Sequence, residues 1–93
     1  MEQEHLEKRQ LDTLAALGCE VEQPCTLDVI IDNLPKVICK SYELIIKHNK
    51  RYISYEYYGN IMHLELFTHR SLTYAAYLLL VWYLKSNYSR KSK

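Results

Sequence analysis

Three side chains in the middle of the chain have the types that a divalent cation takes: Glu43, Glu56 and His63. The strand registers derived below predict Glu56 opposite both Glu43 and His63, with Glu65 on the diagonal. Opposed carboxylates repel across a strand pair, and a cation relieves that repulsion. Two carboxylates and an imidazole are a donor set for a divalent metal. The competing reading is a polar row that faces water, with His63 partly screening Glu56. No residue pattern implies a resident cofactor.

Nucleophilic chemistry has less to stand on. Cys19, Cys25 and Cys39 form no C-x-x-C pair and no even set, which speaks against a disulfide framework or a zinc site. A thiol beside a histidine makes a nucleophile, but the spacing brings none together, and buried inert thiols are expected. The chain holds two glycines. Phosphate loops, dinucleotide turns and nucleophile elbows need more than that, and H-E-x-x-H is absent as well. The expectation is a protein that is not an enzyme.

Basic residues are the next candidates. Arg70, Lys85, Arg90, Lys91 and Lys93 lie toward the C-terminus and predict weak, salt-sensitive attraction to phosphate. Tyr52, Tyr58 and Phe67 are expected on the open face of a sheet, where aromatic rings can stack on bases. Glu43, Glu56 and Glu65 on the same face outweigh Lys47, so that face is read as repelling phosphate. The α-β-β-β-α order is similar to that of the double-stranded RNA-binding domain. That domain meets phosphates with a basic cluster opening its last helix, and here the position offers only His69 and Arg70.

The fourth candidate is apolar. Tyr74 to Leu84 is an uncharged run of eleven residues, too short to span a bilayer, which takes ~20. Read as a helix, it puts Leu72, Ala75, Ala76, Leu79, Leu80 and Tyr83 on one stripe. The other face carries Tyr74, Tyr77, Leu78, Val81, Leu84 and Tyr88, broken by Lys85, with Trp82 on the flank. A helix that is apolar all round must find cover on both sides, and tyrosine and tryptophan favour interfaces. Tyr74, Tyr77, Leu78, Val81, Trp82 and Tyr88 are therefore the expected interface, with a second copy or another protein. Partial cover by the first helix, or a helix lodged deep between layers, is the alternative.

The elements that position these groups follow from periodicity. Glu2 to Leu17 reads as a helix with Leu11, Leu14, Ala15 and Leu17 on one stripe, stopped by Gly18. Thr26 caps a second helix with Leu27, Ile30, Ile31 and Leu34 inward, ended by Pro35. Tyr42 to His48, Arg51 to Tyr58 and Ile61 to Phe67 each alternate with period two, as half-buried strands do. Turns at Asn49-Lys50 and Gly59-Asn60 predict the register. Both place Tyr42, Leu44, Ile46, Ile53, Tyr55, Tyr57, Met62, Leu64 and Leu66 on one face, so two separate turns agree on one apolar surface. Ser71 caps the last helix, which runs to about Asn87.

Composition sets the outer bounds. Ninety-three residues, 48% apolar and 25% charged, make one folded domain and leave no room for a separate cofactor domain. The net charge of +1 steers the chain to no partner, although residues 1–34 hold two basic and eight acidic residues against ten and three in the remainder. Packing of the two parts against each other balances that asymmetry. The acidic, polar N-terminus predicts no secretory signal, and with the unpaired cysteines this points to a cytoplasmic protein without a membrane anchor.

Leu34-Pro35-Lys36 closing the second helix, the tyrosine-rich Arg51-Tyr52-Ile53-Ser54-Tyr55-Glu56-Tyr57, and the Leu-x-x-Ala-x-Tyr pattern of Leu72 to Tyr77 together resemble a group of small uncharacterised proteins of phages and prophage-like elements of gut bacteria. The resemblance runs the length of the chain. It implies a fold and a mobile-element setting, and no activity.

The expected architecture is thus α+β in two layers: a three-stranded antiparallel meander with helices on one face, in the order α-α-β-β-β-α. Residues 1–88 form the domain and 89–93 a basic tail. The expected function is that of a small interaction or accessory protein, with weak nucleic-acid binding through the tail as the alternative.

Overall fold

A computed structural model describes residues 4–57 and 63–86. Its centre is the hairpin of β2 (Tyr42–Lys47) and β3 (Tyr52–Tyr57). Tyr42 pairs with Tyr57, Leu44 with Tyr55 and Ile46 with Ile53, the register expected from the sequence. The connection differs from the expected two-residue turn. It runs from His48 to Arg51, closed by a 3.2 Å bond from the Arg51 N–H to the His48 carbonyl, with Arg51 left-handed at φ 53°. Both loops are centred on the same peptide bond, so the register is the same.

β4 (His63–Thr68) pairs antiparallel with β3. Glu56 stands opposite His63 as expected, and then a β-bulge shifts the register. Beyond it, Tyr55 faces Glu65, Ser54 faces Leu66 and Ile53 faces Phe67. One extra residue reverses the side-chain alternation of everything after it. Leu66 therefore leaves the face it was assigned to, and Phe67 moves onto the helix-covered face and packs against the core. Glu65 moves with Phe67. Met62 and the Gly59-Asn60 turn lie outside the described residues.

Among the described residues the sheet has four strands, not three, in the order β1-β2-β3-β4. The addition is β1 (Val37–Ile38), antiparallel to β2 with Val37 opposite Glu43. Its turn is closed by the Ser41 N–H on the Ile38 carbonyl, and its central residues Cys39 and Lys40 have φ of 55° and 64°. Hairpin turns of the I′ kind need positive φ at both centres. Glycine and asparagine signal that in a sequence, and a Cys-Lys pair does not.

Helix α1 spans Lys8–Ala16, six residues later than the expected start at Glu2. The segment before it is held extended by pairing: the Leu6 N–H donates to the Cys25 carbonyl at 2.9 Å, and His5 bridges Thr26. Leu6 is buried by this arrangement. The helix begins where the Gln10 side chain accepts the Glu7 N–H at 2.8 Å. It ends as expected at Gly18, where φ is +85°. The Cys19 N–H reaches the Leu14 carbonyl and the Gly18 N–H that of Ala15, the two bonds of a Schellman motif. Leu14 is the stripe residue that is fully buried, while Ala15 is exposed.

Helix α2 (Leu27–Asp32) follows Thr26 and buries Ile30, with Leu34 buried just beyond it. Helix α3 (Leu72–Lys85) is capped by the Ser71 hydroxyl, which accepts the Tyr74 N–H at 3.1 Å. It lies on β3 and β4 and also packs on α2. Ala75, Ala76, Leu79 and Leu80 are fully buried with Leu14, Ile30, Ile38, Ile53 and Tyr55. The thinnest extent of the chain is 16 Å, room for one sheet and one layer of helices.

Candidate interaction surface

Tyr74, Leu78, Val81 and Lys85 follow one another at steps of four, three and four residues and so form one strip on α3. The strip lies opposite Ala75, Ala76, Leu79 and Tyr83, which fill the core. Tyr74, Leu78 and Val81 are each half-buried, and Lys85 is exposed. The strip is thus the solvent side of the helix, partly shielded by its own chain.

Two of the expected interface residues stand elsewhere. Tyr77 is 8% exposed and belongs to the core of its own chain, because its position is one step round the helix toward the buried stripe. Trp82 leans toward the sheet, with its ring centroid 6.2 Å from that of Tyr55, and contributes only a half-buried flank. Tyr88 lies outside the described residues. Tyr74 continues the strip toward the helix start, 5.7 Å from the Tyr77 ring and 4.6 Å from that of His69.

Around the start of α3 the side chains interlock. The Ser71 hydroxyl donates to the Glu4 carboxylate at 2.6 Å, and the Ser71 N–H donates to His69 Nδ1 at 3.0 Å. The first described residues are tied to the helix cap in this way.

The sheet face away from the helices is mixed. The Tyr52 and Ser54 hydroxyls both donate to Glu56 Oε2, at 3.3 and 2.6 Å. Ser54 is fully buried between Ile45 on β2 and Leu66 on β4. Partial desolvation, and then the charge and hydrogen bond of Glu56, hold the Tyr52 hydroxyl above its ordinary pKa. The sequence carries a signal of this ladder: hydroxyl, hydroxyl and carboxylate at alternate positions of one strand. The register does bring Glu43, Glu56 and His63 into one row. The Glu56 carboxylate is turned along its own strand toward the two hydroxyls. Among the described residues no group of three His, Cys, Asp or Glu is placed to hold a metal ion.

The other candidates are dispersed. Arg70 is exposed two residues before α3 and Lys85 is exposed at its last residue, so the length of the helix, about 20 Å, lies between them. Arg90, Lys91 and Lys93 lie outside the described residues. The stacking platform loses Phe67 to the core, and Tyr58 is not among the described residues. Cys39 is exposed in its turn, Cys19 half-buried and Cys25 buried. Burial pushes the Cys19 thiol up, and burial together with Cys19 does the same to Cys25. Both shifts keep the thiols protonated and oppose a nucleophilic role. Cys25 shares an open cleft of about 700 Å³ with His5, Leu6, Glu7 and Leu11, and His5 Nδ1 lies 3.2 Å from the Leu6 carbonyl.

No family model, no curated protein and no solved structure matches the chain. No helix among the described residues is long and apolar enough to cross a membrane.

Proposed function

We propose that this chain is a small non-enzymatic interaction protein, an accessory factor of a mobile element, that associates through the outer strip of α3. The supporting observation is the strip itself: Tyr74, Leu78 and Val81, flanked by Trp82, run along a fourteen-residue helix with no charged side chain before Lys85. Solvent-facing helix positions of a monomer normally carry charge. An apolar strip with a tyrosine at one end and a tryptophan on its flank suits a partner that buries the rings and leaves their polar atoms at the rim. A second copy is the partner favoured here, because symmetric pairing of one patch with itself is the commonest form of assembly.

Val81→Asp tests this reading. The aspartate is expected to dissociate the protein to monomers while the circular dichroism spectrum stays that of the wild type. A folded variant that still associates would exclude the strip. A variant that fails to fold would show that Val81 belongs to the core. The alternative, phosphate attraction by Lys85 and the basic tail, is separated by salt: apolar pairing tolerates it and nucleic-acid binding does not.

A further inference from the structure

β4 ends the sheet, and among the described residues no strand pairs with its outer side. The phase of its hydrogen bonds decides which backbone groups face outward. The His69 N–H donates to the Arg51 carbonyl at 3.3 Å. In an antiparallel ladder the bonded pairs recur at every second residue. Phe67 with Ile53 and Glu65 with Tyr55 are then the bonded pairs, and the N–H and C=O groups of Leu66 and Thr68 point away from β3. Leu66 N–H does not stand open. Glu65, the preceding residue, bends its carboxylate over the edge, and Oε1 accepts that N–H at 3.1 Å.

Glu65 is an unexpected residue in this place. By register it belongs to the helix-covered row of Ile53 and Phe67, and it is half-buried. Apart from His63 at its start, the rest of His63–Thr68 reads Leu, Leu, Phe and Thr, the kind of run that pairs readily with another strand. Inward-pointing charges and bulges are the devices by which edge strands avoid adding a further strand, and β4 has both.

We propose that Glu65 guards the free edge of β4 against the β4 of a second copy. Antiparallel addition about a two-fold axis at Leu66 needs the Leu66 N–H of each chain as a donor to the other. Glu65 already holds that donor. The same pairing would set Glu65 of one copy opposite Phe67 of the other, a carboxylate against an aromatic ring, which carries a desolvation cost. The guarded edge is separate from the α3 strip.

The test compares Glu65→Val with Glu65→Gln, each in the wild-type chain and in Val81→Asp, by light scattering after size exclusion at ~100 µM. Valine removes the acceptor, and glutamine keeps it without the charge. The valine variant is expected to show about a twofold rise in mass over its parent in Val81→Asp, and at least about a twofold rise in the wild-type background, where each α3-paired dimer carries two β4 edges. The glutamine variant should match its parent. Folded valine variants with the mass of their parents would overturn the proposal, as would a glutamine variant that associates as much as valine. Should valine prevent folding, amide exchange in the unaltered protein decides: the Leu66 amide is expected to exchange at least about tenfold more slowly than an unprotected amide, and unprotected exchange there would refute the guard.

Discussion

The Tyr55 hydroxyl donates a 2.7 Å hydrogen bond to the carbonyl of Pro35, twenty residues earlier in the chain. It joins the middle of the central strand to the point where α2 has ended and β1 is about to begin. Tyr55 is fully buried, so the bond is made away from water. Burial first, and then Tyr83, push the Tyr55 hydroxyl well above its ordinary pKa.

Tyr55→Phe leaves the ring in place and the Pro35 carbonyl without this donor. The expected loss is about 1–2 kcal/mol of stability, read as a lower urea midpoint at unchanged slope. A midpoint equal to that of the wild type would show that the bond contributes nothing.

The same hydroxyl makes stability depend on alkaline pH. The folded chain holds the tyrosine proton more tightly than the unfolded chain does. The stabilisation is therefore complete below the unfolded pKa of about 10 and is lost as pH rises toward the folded value. Urea midpoints measured from pH 8 to pH 11 should fall at the top of that range, and Tyr55→Phe should flatten the fall. An identical pH slope in the variant would contradict the assignment to Tyr55.

Backbone conformation predicts opposite outcomes at two turns. Lys40 has φ 64° and is not glycine, whereas Gly18 has φ +85° with open space around its α-carbon. Lys40→Gly should raise stability and Gly18→Ala should lower it, each by about 1 kcal/mol. Thermal midpoints moving in the same direction would refute this account of β1 and of the end of α1.

Ser71 serves α3 and the N-terminal segment together. Ser71→Ala removes the cap on the Tyr74 N–H and the donor to Glu4, with an expected cost of about 1 kcal/mol. Glu4→Ala, which leaves the cap intact at an exposed site, should cost less than about 0.5 kcal/mol. Equal losses in the two variants would place the stabilisation in the Glu4 contact and not in the cap.

What the sequence disclosed follows from the range of each signal. The β2–β3 register was legible because alternation on both strands and the centre of one loop agree, and it holds whichever loop type is used. Gly18 and Ser71 were legible because a left-handed stop and a hydroxyl cap depend on neighbouring residues alone. β1 was not legible, since Cys39 and Lys40 give no sign of positive φ and the strand is too short to alternate. The bulge after His63 left no mark either. It exchanges Leu66 for Phe67, both apolar, and brings Glu65 onto the covered row, so alternation alone favours the register without the bulge. The later start of α1 is not legible either, because it is set by the pairing of Leu6 with Cys25, nineteen residues on in the chain. Tyr77 was assigned outward because its neighbours around the helix are all apolar, and periodicity cannot divide a helix that has no polar side.

The central claim is that the α3 strip of Tyr74, Leu78 and Val81 is covered by a second copy. Size exclusion with light scattering at low and high salt tests it most directly. The account predicts about twice the chain mass of 11.1 kDa at both salt concentrations. The mass of a single chain at both would contradict it.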